Sequence, residues 1–171
     1  MPTLTLYRGE ATADEAPRVG RPQLRLVSGQ KGVILVAVAD QHRRARSSVR
    51  VLLEDQTDVQ VTGEAGTGAE AVELARRTRP DVVVLDSTLP AALETTRQIL
   101  DQSDGRTRVL LLSAEERGDC IVRALRAGAR GVLAKDSCSV ELLRAVRVVA
   151  RGDALLSPSI TRALISRCVE G

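Results

Sequence analysis

Three unbroken apolar runs, Val33 to Ala39, Val82 to Leu85 and Val109 to Leu112, constrain this chain more than any other feature. A strand with one face in water alternates polar and apolar residues. An unbroken run belongs to a strand covered on both faces, as in parallel sheets sandwiched between helices. Val59 to Ala65 and Gly131 to Ala134 are weaker runs of the same kind, so five strands are expected.

The segments between the runs carry helical periodicity. Ala45, Val49, Leu52 and Leu53 share one face of a first helix, with Arg43, Arg46 and Arg50 turned elsewhere. Thr67-Gly68-Ala69-Glu70 reads as a capping box, Ala71, Leu74, Ala75 and Thr78 follow on one face, and Pro80 closes that helix. Residues 92–102, 117–127 and 140–151 are the next three helices, the last two stopped by Gly128 and Gly152. Ser157 or Ser159 begins a final one through Cys168. Strand and helix therefore alternate with short connections, which predicts an α/β fold: a doubly wound, parallel five-stranded sheet in the flavodoxin-like order 2-1-3-4-5.

At 171 residues the chain has room for one core plus extensions. Residues 1–31 hold three of the six prolines and form an N-terminal extension, flexible or a short hairpin built from the alternating Thr3–Tyr7 and Gln23–Val27 segments. The core domain is placed at residues 32–156 and a C-terminal linker helix at 157–171. Cys120, Cys138 and Cys168 are odd in number and lack metal-ligand spacing, so reduced thiols are expected. No apolar run reaches bilayer length and no signal-peptide core is present, which points to the cytoplasm and away from any membrane. The net charge is only +3, there is no Phe or Trp, and the single Tyr7 lies in the extension. Without stacking platforms, the arginine clusters make this chain by itself a poor nucleic-acid binder.

In a sheet of this type ligands sit beyond the carboxyl ends of the strands, at the switch in strand order. The first polar residue after each apolar run is therefore the candidate. The runs end in Asp40, Asp86 and Ser113, and the fifth strand is followed by Lys135. Two carboxylates, a hydroxyl and an ammonium are thus expected around one shallow pocket. His42 is read as a polar residue beginning the first helix.

Several stretches, in order and at matching spacing, carry a resemblance to a known family. They are Ala39-Asp40-Gln41-His42, Gly63-Glu64-Ala65, Arg79-Pro80-Asp81-Val82-Val83-Val84-Leu85-Asp86-Ser87-Thr88-Leu89-Pro90 and Leu111-Leu112-Ser113-Ala114. Ala127-Gly128-Ala129-Arg130-Gly131-Val132-Leu133-Ala134-Lys135-Asp136 and Gly152-Asp153-Ala154-Leu155-Leu156-Ser157-Pro158 complete the set. From residue 33 to about 157 the chain resembles the receiver domain of a NarL/LuxR-type response regulator. The resemblance implies a regulatory protein rather than an enzyme. It makes Asp86 the acceptor of a phosphoryl group from a sensor histidine kinase, and sets Ser113 and Lys135 against that group. It also implies a Mg²⁺ ion held by Asp86, Asp40 and the backbone carbonyl of Thr88, and a DNA-binding helix-turn-helix domain, absent from this chain, beyond the last helix.

Three positions depart from the family pattern. Gln41 stands where a second acid is usual. Its amide removes a charge whose contact with a divalent cation is worth on the order of several kcal/mol before desolvation, so Mg²⁺ binding should be weak. Val132 stands at the switch position, where an aromatic residue is common. Ala91-Ala92-Leu93 replaces a glycine-bearing loop. The expected function is that of an atypical receiver, controlled by dimerisation, a ligand or a partner more than by conventional phosphorylation. The alternative is a conventional receiver phosphorylated on Asp86. A homodimer is expected through the helix at 140–151, because Val140, Leu142, Leu143, Val146, Val148, Val149 and Ala150 spread beyond one core-facing stripe. A haloacid-dehalogenase-type phosphatase would need an acid where Thr88 stands. Gly63, Gly66 and Gly68 do not make a dinucleotide motif, and a flavin site would want the missing aromatics.

Overall fold

A computed structural model describes residues 32–115 and 117–169. The two alternating segments of the N-terminal extension lie outside the described residues. The elements run β1 (Ile34–Ala39), α1 (Arg43–Glu54), β2 (Val59–Ala65), α2 (Gly68–Thr78), β3 (Val82–Asp86), α3 (Ala92–Gln102), β4 (Arg108–Ser113), α4 (Gly118–Arg126), β5 (Gly131–Ala134), α5 (Ser139–Ala150), β6 (Leu155–Leu156) and α6 (Pro158–Val169). The sheet order is β2-β1-β3-β4-β5-β6, and every neighbouring pair is parallel. The five expected strands stand in the expected order. The sixth strand is an addition: Leu155 and Leu156 pair with Gly131 and Val132 as the chain leaves α5, and two residues are too few to show a period.

The unbroken apolar runs are explained by the two cores they feed. Ala37, Ala39, Val83, Leu85, Val109, Leu111, Val132 and Ala134 face one side, against Ala71 and Leu74 of α2, Ile99 of α3, Ile121 and Ala124 of α4 and Ile160 of α6. Val36, Val38, Val82, Val84, Leu110, Leu112 and Leu133 face the other, against Leu53 of α1 and Leu142, Ala145, Val146 and Val149 of α5. Side chains alternate between faces along a strand, so only a strand covered twice needs an apolar residue at every position.

Local signals act as expected. Thr67 Oγ1 accepts the Glu70 N–H at 3.2 Å, and the Glu70 carboxylate reaches back to the Gly66 N–H at 2.7 Å, satisfying donors that a bare helix start leaves open. Arg79 adopts φ 48° as the α2 C-cap, and Pro80 follows it.

Helix α6 is docked rather than projecting. Ile160 is fully buried in the core shared with α4 and β5. Gly118 lets the two helices approach closely, because a Cβ there would lie 2.5 Å from Arg167 Cβ and 2.9 Å from the Ala163 carbonyl oxygen. Asp119 of α4 pairs with Arg167 of α6 on the surface. Among the described residues, no helix is long and apolar enough to cross a membrane. Removing most of a fully buried side chain loses both its transfer energy and the packing around it. Ile160→Ala should therefore lower unfolding stability by about 2–5 kcal/mol, measured by urea titration, and speed amide hydrogen exchange throughout α6. Unchanged exchange in α6 would show that the helix is not held by this contact.

Candidate functional site

The parallel register delivers the carboxyl ends of β1, β3, β4 and β5 to one edge of the sheet. Asp40 follows β1, Asp86 ends β3, Ser113 ends β4 and Lys135 follows β5. The Lys135 Nζ lies 2.9 Å from Asp86 Oδ2 and 3.3 Å from Asp40 Oδ2, so one ammonium bridges two carboxylates. Asp86 is 1% exposed and Asp40 4%. Partial burial works to lower the Lys135 pKa, but the hydrogen bonds and charges of Asp86 and Asp40 outweigh it and hold the ammonium above its ordinary value.

Each carboxylate has further partners. Asp40 Oδ1 accepts the His42 N–H at 2.7 Å and lies 3.3 Å from His42 Nδ1. The Asp40 carbonyl accepts from Arg46, whose guanidinium also pairs with Glu64 at the end of β2. Asp86 Oδ2 accepts the Thr88 hydroxyl at 2.5 Å. Asp86 Oδ1 is buried and has no hydrogen-bond partner. A lone buried acceptor of this kind is costly unless something fills it.

Gln41 explains itself in the same place. Its Nε2 donates to the Thr88 carbonyl at 3.2 Å and to Thr88 Oγ1 at 3.3 Å. The carbonyl oxygen assigned above to a metal is thus taken by an amide N–H of the chain itself. Oxygen donors for a Mg²⁺ ion remain in Asp40 and in the orphaned Asp86 oxygen, so a cation fits here with fewer ligands than the resemblance implies.

Ser113 stands at the same sheet edge, but its hydroxyl is turned onto its own loop, donating to the Glu115 carbonyl at 2.5 Å. It borders a hollow of about 390 Å³ with Thr88, Leu93, Cys120, Ile121 and Val132. Val132 is buried and too short to fill that hollow. Ala91 caps α3 at φ 57°, left-handed backbone that costs an L-residue about 1–2 kcal/mol. This is the loop where the sequence departs from a glycine.

The structure brings Asp40, Asp86 and Lys135 into contact at the sheet edge and adds two neighbours that the sequence reading did not name for the site. His42 was read as a helix-starting polar residue. It is the α1 N-cap in extended conformation, and an extended segment brings residues two apart to the same side, so its ring returns to Asp40. Arg46, read as turned away from the apolar face of that helix, is tied behind the site. The two-residue spacing from Asp40 was the available signal for His42; nothing local marked Arg46.

Residues 36–147 match the family described as the response regulator receiver domain. The chain belongs to that family. This receiver is 34% identical over 138 residues to the uncharacterized transcriptional regulatory protein YxjL of Bacillus subtilis, covering 80% of this chain and 63% of that protein. It is 33% identical over 131 residues to the nitrate/nitrite response regulator protein NarL of Escherichia coli K12, covering 75% of this chain and 60% of NarL. The chain thus spans less than two thirds of the length of these curated relatives. Among solved structures it resembles a LuxR-family two-component response regulator from Aurantimonas sp. SI85-9A1, with a TM-score of 0.75 at 33% identity over 81% of this chain and 99% of the other. It also resembles the receiver domain of the response regulator NarL from Mycobacterium tuberculosis, with a TM-score of 0.67 at 36% identity over 71% of this chain and 98% of that one. The receiver is therefore of the NarL/LuxR type, a class that works in two-component signalling, and these relatives are regulators.

Removing one partner from a buried ionic group leaves an uncompensated charge, and Lys135 here balances two. Its side chain is 31% exposed, so solvent moderates the effect. Lys135→Ala should destabilise the fold by about 1–3 kcal/mol at neutral pH. Adding Asp40→Asn should restore part of that loss, because Asp86 then no longer faces a second carboxylate. A double-mutant cycle by chemical denaturation measures the coupling; strict additivity would mean the lysine does not hold the pair.

Proposed function

We propose that this chain is the regulatory receiver of an atypical cytoplasmic response regulator, with Asp86 as phosphoacceptor and Lys135 and Ser113 as the groups that meet a phosphoryl oxygen. Its output is transcription regulation through a DNA-binding helix-turn-helix domain outside this chain. Control by dimerisation, a ligand or a partner outweighs control by a sensor histidine kinase. The observation that carries this reading is the Gln41 N–H donated to the Thr88 carbonyl: a position that usually adds negative charge for a cation instead supplies a donor that seals the loop after Asp86. Mg²⁺, when bound, would neutralise charge on the transferring phosphoryl group. Asp40 and Asp86 would hold it, weakly. Lys135 already places one positive charge against the acceptor, and Ser113 must rotate away from Glu115 to reach it.

Conventional phosphorylation on Asp86 is the second reading. The orphaned, buried Asp86 Oδ1 favours it, since an acceptor atom without a hydrogen bond is free to attack.

The homodimer rests on α5. Leu142, Ala145, Val146 and Val149 are buried against the sheet. Val140 is 73% exposed, and Leu143 and Val148 are only half-buried. Arg147 forms a bidentate pair with Asp58 at 2.7 and 2.8 Å, which fixes α5 against the loop before β2.

With millimolar small phosphodonor and Mg²⁺, the unmodified chain should label slowly or undetectably by intact-mass spectrometry. Gln41→Asp should speed labelling at least tenfold, and Asp86→Asn should abolish it. Rapid, stoichiometric labelling of the unmodified chain would overturn the atypical reading. In sedimentation over a concentration series, the chain should dimerise and Val148→Glu should shift it to monomer. A monomer at every concentration would remove the α5 interface.

A further inference from the structure

The acidic pocket has a third ligand type that the receiver reading leaves unused. Asp40, His42 and Asp86 each offer an atom, and the three atoms lie within 4.8 Å of one another. His42 Nδ1 and Asp40 Oδ1 are 3.3 Å apart. Two ligands about 2.0–2.1 Å from a tetrahedral dication are separated by about that much. The His42 N–H is itself bonded to Asp40 Oδ1, which keeps that oxygen beside the histidine. An independent sign that the pocket lacks an occupant is Asp86 Oδ1, buried in a residue only 1% exposed and without a partner.

The donor set decides which ion suits the place. Mg²⁺ demands oxygen ligands in near-octahedral geometry. Here one oxygen position is filled by the Gln41 amide, which turns an N–H into the loop, and the Thr88 carbonyl is occupied by that same N–H. What remains is two carboxylates and an imidazole. That combination suits Mn²⁺, Co²⁺, Ni²⁺ and Zn²⁺, which accept nitrogen readily.

We propose that Asp40, His42 and Asp86 form a binding site for a first-row transition-metal dication of the zinc class, with His42 supplying the ligand that Gln41 does not. This rests on the reading of Asp40 and Asp86 as a cation pocket and adds its selectivity. The oxygens that the ion would take, Asp40 Oδ1 beside His42 and the unpartnered Asp86 Oδ1, are not the ones that hold Lys135, which keeps Asp40 Oδ2 and Asp86 Oδ2.

The test uses the untagged chain with its three cysteines alkylated, so that thiolates do not compete. His42 is the sole histidine, which makes its imidazole proton signals an unambiguous reporter. Zn²⁺ should shift those signals and bind at least a hundredfold more tightly than Mg²⁺ by calorimetry. His42→Ala should weaken Zn²⁺ at least tenfold and leave Mg²⁺ unchanged, and Asp86→Asn should weaken both. Zn²⁺ that binds without moving the His42 signals, or equally well to His42→Ala, overturns the proposal. If neither ion binds the unmodified chain, the proposal fails as well. Mg²⁺ binding to Gln41→Asp then separates the two ideas: its presence keeps the cation-pocket reading, and its absence removes that reading too.

Discussion

One ammonium group, that of Lys135, holds the business end of this fold together. Asp40 and Asp86 stand at the carboxyl ends of neighbouring strands, β1 and β3, and both are almost wholly buried. Two carboxylates at that range repel strongly where water cannot screen them. The compensating charge comes from β5, two places along the sheet. Between them β4 ends in a small residue, Ser113, whose carbonyl accepts the Lys135 N–H at 2.8 Å. The backbone register therefore starts the lysine at the right height, and its long side chain reaches across to the pair. Shift the register of β5 by one residue and the ammonium would leave the site, with Ala134 or Asp136 in its place.

Gln41 changes the charge of that arrangement and its geometry together. Two carboxylates against one ammonium leave the described cluster at a formal −1; an acid at position 41 would bring it to −2. The lost charge weakens attraction for a dication, while the gained N–H fastens the β1–α1 turn to the loop after β3. That loop is strained at Ala91, so it has something to release. An amide here serves as an internal tie where a carboxylate would repel its neighbours until a cation arrived.

The fold was legible because burial on both faces leaves an unambiguous trace. Runs such as Val82–Leu85 admit few alternatives, and helix boundaries followed from Thr67, Pro80, Gly128 and Gly152. The site was legible for a related reason: a polar residue ending an apolar strand marks where the chain emerges from the core, which located Asp40, Asp86, Ser113 and Lys135. What did not show was orientation. The Ser113 hydroxyl turns toward Glu115, His42 turns back toward Asp40, and Arg46 turns inward behind it. Those directions depend on contacts between segments distant in sequence, such as Arg46 with Glu64, and single-residue identity carries no record of them. The two-residue β6 was hidden by its shortness.

The position of Val132 links the site to the far side of the domain. Its short side chain borders a hollow of about 390 Å³ whose other walls include Thr88 and Ser113 from the site and Cys120, Ile121 and Ala124 from α4. Ile121 and Ala124 of α4 are nonetheless buried in the core with Val132 and Leu111, so the hollow opens beside a helix already seated on the sheet. On its other side α4 is in close contact with α6, through Gly118 and the Asp119–Arg167 pair. The helix is thus seated on the sheet through Ile121 and Ala124 and held on its other side by α6. Movement of α4 into or out of the hollow would have to carry α6 with it or break a contact too close to slide. A larger side chain at position 132 would reach further into the hollow between Thr88, Ser113 and α4; valine, buried in the core, leaves that space open.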